Sequence, residues 1–137
     1  MNKIFLIDDD EDDQLIFKEV IDSINSTLYI VTATNGKIAL DKLKASDSLP
    51  DIIFLDLNMP VMNGYEFLVK IKKEVQLSKI PVCILTTSNI RREKELSREF
   101  GAKCFLTKPN DFKMLRKQLC QILSTNFSTD EYISTKE

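Results

Sequence analysis

Phe54-Leu55-Asp56-Leu57-Asn58-Met59-Pro60, in the middle of the chain, decides how the rest is read. Pro50-Asp51 opens a short apolar run, Ile52 to Leu55, and Asp56 stands where that run ends. A continuous apolar run bounded by turn residues fits a strand buried on both faces of a parallel sheet. A carboxylate just past such a strand is ordinary if it only starts a turn. Here four other apolar runs also end in polar or reactive side chains, which points to a shared rim.

Toward the N-terminus, Lys3 to Ile7 reads as a strand, followed by six consecutive acids from Asp8 to Asp13. From about Asp12 to Asn25 the period becomes helical, with Ile16, Val20 and Ile24 spaced by four. Leu28 to Thr34 is a second strand, closed by Asn35-Gly36 as a turn pair. A helix follows from Lys37 to about Ala45, with Ala39, Leu40 and Leu43 on one face, and Pro50 forbids its continuation.

Toward the C-terminus, Asn63-Gly64-Tyr65-Glu66 has the layout of a capping box. The helix it opens is expected to pack Phe67, Leu68, Ile71 and Val75. Pro81 to Leu85 reads as the fourth strand, ending at Thr86-Thr87-Ser88. Arg91 to Phe100 is a helix of almost pure charge, with only Leu96 and Phe100 apolar, and should be the most weakly packed element. Gly101 stops it. Lys103 to Leu106 is the fifth strand, ending at Thr107-Lys108-Pro109. Asn110 is placed to cap a last helix carrying Phe112, Leu115, Leu119 and Ile122 on one face. The expected organisation is one domain over residues 1–124 and a polar tail over 125–137.

Five strands alternating with five helices imply right-handed crossovers and a doubly wound parallel sheet with helices on both faces. In this class ligands sit beyond the carboxyl ends of the strands, where strand order reverses. For the order 2-1-3-4-5 the reversal lies between the strands ending in Asp8-Asp9 and in Asp56. The bulk numbers fit a globular domain: 137 residues, 43% hydrophobic, 29% charged. A net charge of −2 gives no electrostatic footprint for nucleic acid or an anionic membrane. With no span-length apolar run and no secretory signal, the expected location is cytoplasmic. Cys83, Cys104 and Cys120 have no metal-ligand spacing and read as small core hydrophobes. Histidine is absent, which excludes Ser-His and Cys-His pairs, imidazole metal sites and a phosphohistidine on this chain.

Chain order then predicts a cluster: Asp8, Asp9, Asp56, Thr86 and Lys108 all emerge on one rim. Three adjacent carboxylates repel one another, and burial worsens this. A hard divalent ion, expected to be Mg²⁺, offsets them, with Lys108 adding a second positive charge. A metal, a lysine, a hydroxyl and a carboxylate are the parts that handle a phosphoryl group. Asp56, single and central, is the favoured nucleophile, while the adjacent Asp8 and Asp9 suit metal ligation.

Taken together, Ile7-Asp8-Asp9, Asp56-Leu57-Asn58-Met59-Pro60 with Gly64, Thr86, and Phe105-Leu106-Thr107-Lys108-Pro109 resemble the receiver domain of response regulators. The similarity is to the single-domain chemotaxis regulators of two-component signalling and covers residues 3 to about 124. It implies a flavodoxin-like fold, and a non-enzymatic phosphoprotein switch in which Asp56 accepts a phosphoryl group from a histidine-kinase or phosphotransfer partner. It further implies that Asp9 and Asp56 bind Mg²⁺ with the backbone carbonyl of Asn58, Asp8 acting largely through water. Lys108 would hold phosphoryl oxygens and Thr86 would swing toward them. Thr86 and Phe105 would form the switch that remodels the helix four, strand five, helix five face for a protein target or a homodimer. Asn58 and Ser88 would tune dephosphorylation. Phe105 lacks the hydroxyl of the tyrosine often found there, and Thr87 is bulkier than the usual neighbour of Thr86. No output domain follows in the sequence, so output is expected through a docked partner, a dimer or phosphate relay.

Two rivals compete. Asp8, Asp10, Asp12 and Glu19 match positions 1, 3, 5 and 12 of a calcium-binding loop over 8–19, but Asp13 stands where the sharp turn needs glycine. A pseudo-receiver, docking without phosphorylation, keeps the fold and drops the chemistry.

Overall fold

A computed structural model describes residues 2–127 and 131–134. The chain forms β1 (Lys3–Ile7), α1 (Glu11–Ile24), β2 (Tyr29–Ala33), α2 (Gly36–Ala45), β3 (Ile52–Leu55) and α3 (Gly64–Lys72). It continues through β4 (Val82–Thr86), α4 (Arg91–Glu99), β5 (Cys104–Thr107), α5 (Phe112–Leu123) and β6 (Ile133–Ser134). The sheet order is β2-β1-β3-β4-β5-β6, and every neighbouring pair is parallel. The expected 2-1-3-4-5 core is therefore present, with a sixth strand added by the stretch read as a polar tail. Residues 128–130 and 135–137 of that tail lie outside the described residues.

Period-2 alternation along β1, β3, β4 and β5 splits the core in two. Phe5, Ile7, Ile53, Leu55, Val82, Ile84 and Phe105 face α2 and α3, against Leu40, Leu43, Phe67, Leu68 and Ile71. Ile4, Leu6, Ile52, Phe54, Cys83, Leu85, Cys104 and Leu106 face α1 and α5, against Phe17, Val20, Ile21, Leu115, Leu119 and Ile122. Each large aliphatic or aromatic side chain so buried contributes roughly 1.5–3 kcal/mol before entropy is counted.

The buried stripe of α1 is Phe17, Val20 and Ile21, whereas Ile16, expected on the inner face, is 45% exposed. The 17/20/21 spacing gives a wider apolar face than a strict four-residue step. Val75 lies beyond the end of α3 and is exposed, since the helix stops at Lys72. Asn35 is not a turn residue but the cap of α2, accepting from the Ile38 N–H at 2.9 Å. The cap of α5 is Asp111, which accepts from the Lys113 N–H at 2.8 Å, in place of the expected Asn110. The capping box at Asn63 and Glu66 is present. Gly101 adopts φ 100°, the left-handed conformation expected after α4. Within α4 the buried residue is Ser97; Phe100 sits just past the helix, its ring 5.6 Å from Tyr65.

Candidate functional site

Backbone pairing carries the strand ends to a common rim. The Asp56 N–H donates to Ile7 O at 2.9 Å and the Asp8 N–H to Ala33 O at 3.0 Å, aligning the acids as the strands run out. Across the sheet the Lys108 N–H donates to Thr86 O at 2.6 Å, locking the end of β5 to that of β4. The result brings one carboxylate oxygen each of Asp8, Asp9 and Asp56 within 4.8 Å of one another. Three oxygen donors this close suit a hard divalent cation that keeps some of its waters. Asp8 is 2% and Asp56 9% exposed, while Asp9 opens to solvent.

Electrostatics follow from that packing. Burial pushes the Asp56 carboxyl up to about 6, Lys108 pulls it down, and the charges of Asp8 and Asp9 add to the rise. Burial also raises Asp8, offset by its hydrogen bond from Lys108 and another from the Asp10 N–H. For Lys108 burial works against the charge, but bonds to Asp8 and Asp13 and the field of Asp56 leave its affinity for the proton raised. The ammonium lies 2.7 Å from Asp8 Oδ2 and 2.9 Å from Asp13 Oδ2. It thus reaches into the cluster as expected, but rests on the two acids of the first strand end and α1.

Nothing in the run of six acids singles out Asp13 as one that turns inward. Only Asp10 acts as cap, accepting from the Asp12 and Asp13 N–H groups. Asp13, four residues before buried Phe17, shares its face of α1 and is turned toward Lys108. Gln14 was also missed: its side-chain amide donates to Asp8 O at 2.6 Å and steadies the first strand end from beneath. Because α1 begins at Glu11, residues 8–19 are not a loop, which removes the calcium-loop alternative.

The remaining expected residues sit as follows. Thr86 is fully buried, its hydroxyl accepting from the Ser88 N–H at 3.4 Å. Asn58 is exposed on the loop after β3, and its N–H donates to Asp56 Oδ1 at 3.4 Å. Thr87 is exposed and lines a cleft of about 120 Å³ with Asp8, Asp13, Lys108 and Pro109. A wider groove of about 400 Å³ between α2 and α3 shares no residue with the acid cluster. Phe105 is buried on the α3 side of the sheet, with the Lys94 ammonium 5.8 Å from its ring centroid.

Residues 4–120 match the model of the response regulator receiver domain. The chain belongs to that family. This receiver domain is 31% identical over 121 residues to the response regulator Rcp1 of Synechocystis, covering 85% of this chain and 82% of Rcp1. It is 30% identical over 115 residues to protein PilH of Pseudomonas aeruginosa, covering 77% of this chain and 95% of PilH. A third relative, the sensor histidine kinase CheAY of Helicobacter pylori, is 31% identical over 106 residues, which are 77% of this chain but only 13% of the kinase. Among solved structures, the phosphorylated cyanobacterial phytochrome response regulator RcpA superposes with a TM-score of 0.83 at 32% identity, covering 91% of this chain and 96% of RcpA. The Mn²⁺-bound form of Rcp1 gives 0.79 at 31% identity, covering 90% and 93%. The receiver domain of two-component signalling, with its flavodoxin-like sheet, is thus the class of this chain. Among the described residues no helix is long and apolar enough to cross a membrane.

Proposed function

We propose that Asp56 is the phosphoacceptor and that Asp8, Asp9 and Asp56 hold Mg²⁺ while it reacts. The observation that carries this is the convergence of three carboxylates within 4.8 Å beside a lysine 2.7 Å from one of them. The bound Mg²⁺ would neutralise charge on the entering phosphoryl oxygens. Asp9 and Asp56 would hold it together with the backbone carbonyl of Asn58, and Asp8 would act largely through water. An Asp56 oxygen attacks phosphorus, the bond to the donor breaks, and the donor leaves with that electron pair. Lys108 exchanges a carboxylate partner for a phosphoryl oxygen, and Thr86 brings its hydroxyl to another.

Membership of the receiver family supports a histidine kinase or phosphotransfer protein as the phosphoryl donor. Thr86 then turns its hydroxyl toward the phosphoryl group, and through Phe105, already buried beside it in the sheet, the face built by α4, β5 and α5 changes shape for a protein target or a second copy. Asn58 and Ser88 adjust how fast water removes the group. The chain acts as a cytoplasmic signalling switch rather than an enzyme, with residues 1–124 as the switching unit. It contacts neither nucleic acid nor membrane directly.

Acetyl phosphate with Mg²⁺ tests the chemistry. The mass should rise by one phosphoryl group, and Asp56→Asn should abolish the gain. Equal labelling of Asp56→Asn would place the acceptor elsewhere; no labelling of the unaltered chain would leave a docking module alone.

A further inference from the structure

The segment expected to be a tail lies against the switching face. Cys104 stands opposite Ile133 and Phe105 opposite Ser134, and the Ile133 N–H donates to Lys103 O at 3.1 Å. One residue earlier, Tyr132 reaches α4. Its hydroxyl lies 2.9 Å from Ser97 Oγ and 3.1 Å from Lys94 O, and Ser97 Oγ lies 2.9 Å from the same carbonyl. The Arg98 guanidinium covers the ring at 5.3 Å from its centroid. Ser97 is fully buried on a helix whose other residues are exposed or half-buried. Ser97 Oγ already donates to Lys94 O within the helix, and the Tyr132 hydroxyl joins that pair as a third member.

This contact bridges the two elements that the switch has to move. Lys94 is shared: its carbonyl meets Tyr132 and its ammonium meets the Phe105 ring. Tyr132 also packs on the same core cluster as Phe105. We infer that Tyr132 and β6 form a latch that fixes α4 to β5 in the resting arrangement and opposes the movement driven from Asp56, an inference that rests on Asp56 being the phosphoacceptor. A seated segment favours one state, a phosphoryl group the other, so each weakens the other by the same factor. The seated ring also occupies the surface that a target would contact, so release and docking are coupled.

The test uses the full chain with Mg²⁺ and beryllofluoride as the phosphoryl mimic, its affinity measured by calorimetry. Tyr132→Ala removes the ring, Tyr132→Phe only the hydroxyl, and Ile133→Pro the N–H that pairs with Lys103. Tyr132→Ala and Ile133→Pro should bind the mimic at least about five-fold more tightly than the unaltered chain, with Tyr132→Phe between them. In the unaltered chain the mimic should speed amide exchange in residues 131–134. Affinities equal within about two-fold, or weaker binding by the variants, overturn the latch. Failure of the unaltered chain to bind the mimic overturns the phosphoacceptor reading and the latch with it, so the two failures are told apart.

Discussion

Asp56 carries its charge at a cost, because burial and the neighbouring acids hold its carboxyl up to about 6 against an ordinary 3.8. A carboxyl raised in the folded state binds its proton there first. Its contribution to stability is therefore full below about pH 4 and is lost as pH rises through about 6. Without divalent metal, Asp56→Asn should stabilise the fold at pH 7 by about 1–3 kcal/mol and leave it unchanged near pH 4. Urea melts at the two pH values check this; an equal gain at both would refute the charge explanation. Lys108→Ala should do the opposite, since it strips the buried Asp8 of its cation. We expect a loss of about 2–3 kcal/mol in metal-free protein, below the usual figure for a fully buried pair because the cluster opens to solvent at Asp13. Millimolar Mg²⁺ should restore much of it, and a loss insensitive to Mg²⁺ would argue against charge as the cause. Asp56 and Lys108 were legible in sequence because each follows an apolar run, and strand ends converge. Asp13 was not, because a run of six acids gives no sign of which one turns inward.

At the level of elements, α3 shows how closely backbone meets backbone at the site. A Cβ added at Gly64 would sit 2.7 Å from Asp56 O and 2.8 Å from Leu57 Cα, both main-chain atoms that cannot rotate away. The Gly64 N–H also donates to Leu57 O at 3.0 Å, tying the start of α3 to the segment that follows the acceptor. Gly64→Ala should therefore lower stability by about 1–3 kcal/mol despite the better helix propensity of alanine, as thermal melts would record. An unchanged or raised Tm would mean that the loop yields freely. The capping box that opens α3 was readable from Asn63 and Glu66, whose spacing is diagnostic. The cap of α5 was not, because Asn110 and Asp111 are both good caps and only the backbone angles choose Asp111. β6 escaped for a different reason: two residues carry no period, and their place depends on what β5 and α4 leave open.

For the molecule as a whole, alternation of strand and helix sufficed to give a doubly wound parallel sheet, while the order 2-1-3-4-5 came with the resemblance to receiver domains, since alternation fits more than one order. What neither could give is the state of the edges. β2 forms one edge, with Tyr29 65% exposed, and β6 covers the other for the length of two residues. A bare edge strand offers unpaired N–H and C=O groups to any chain that approaches. Ile133→Pro should therefore promote self-association at high protein concentration, visible as rising light scattering, while the unaltered chain stays flat. Equal scattering would show that β5 is guarded by its own side chains. If the strand does lift when the domain is switched on, the same event strips the sheet of its stopper. The lifetime of the phosphoryl bond would then also set how long each molecule is at risk of zipping onto its neighbours.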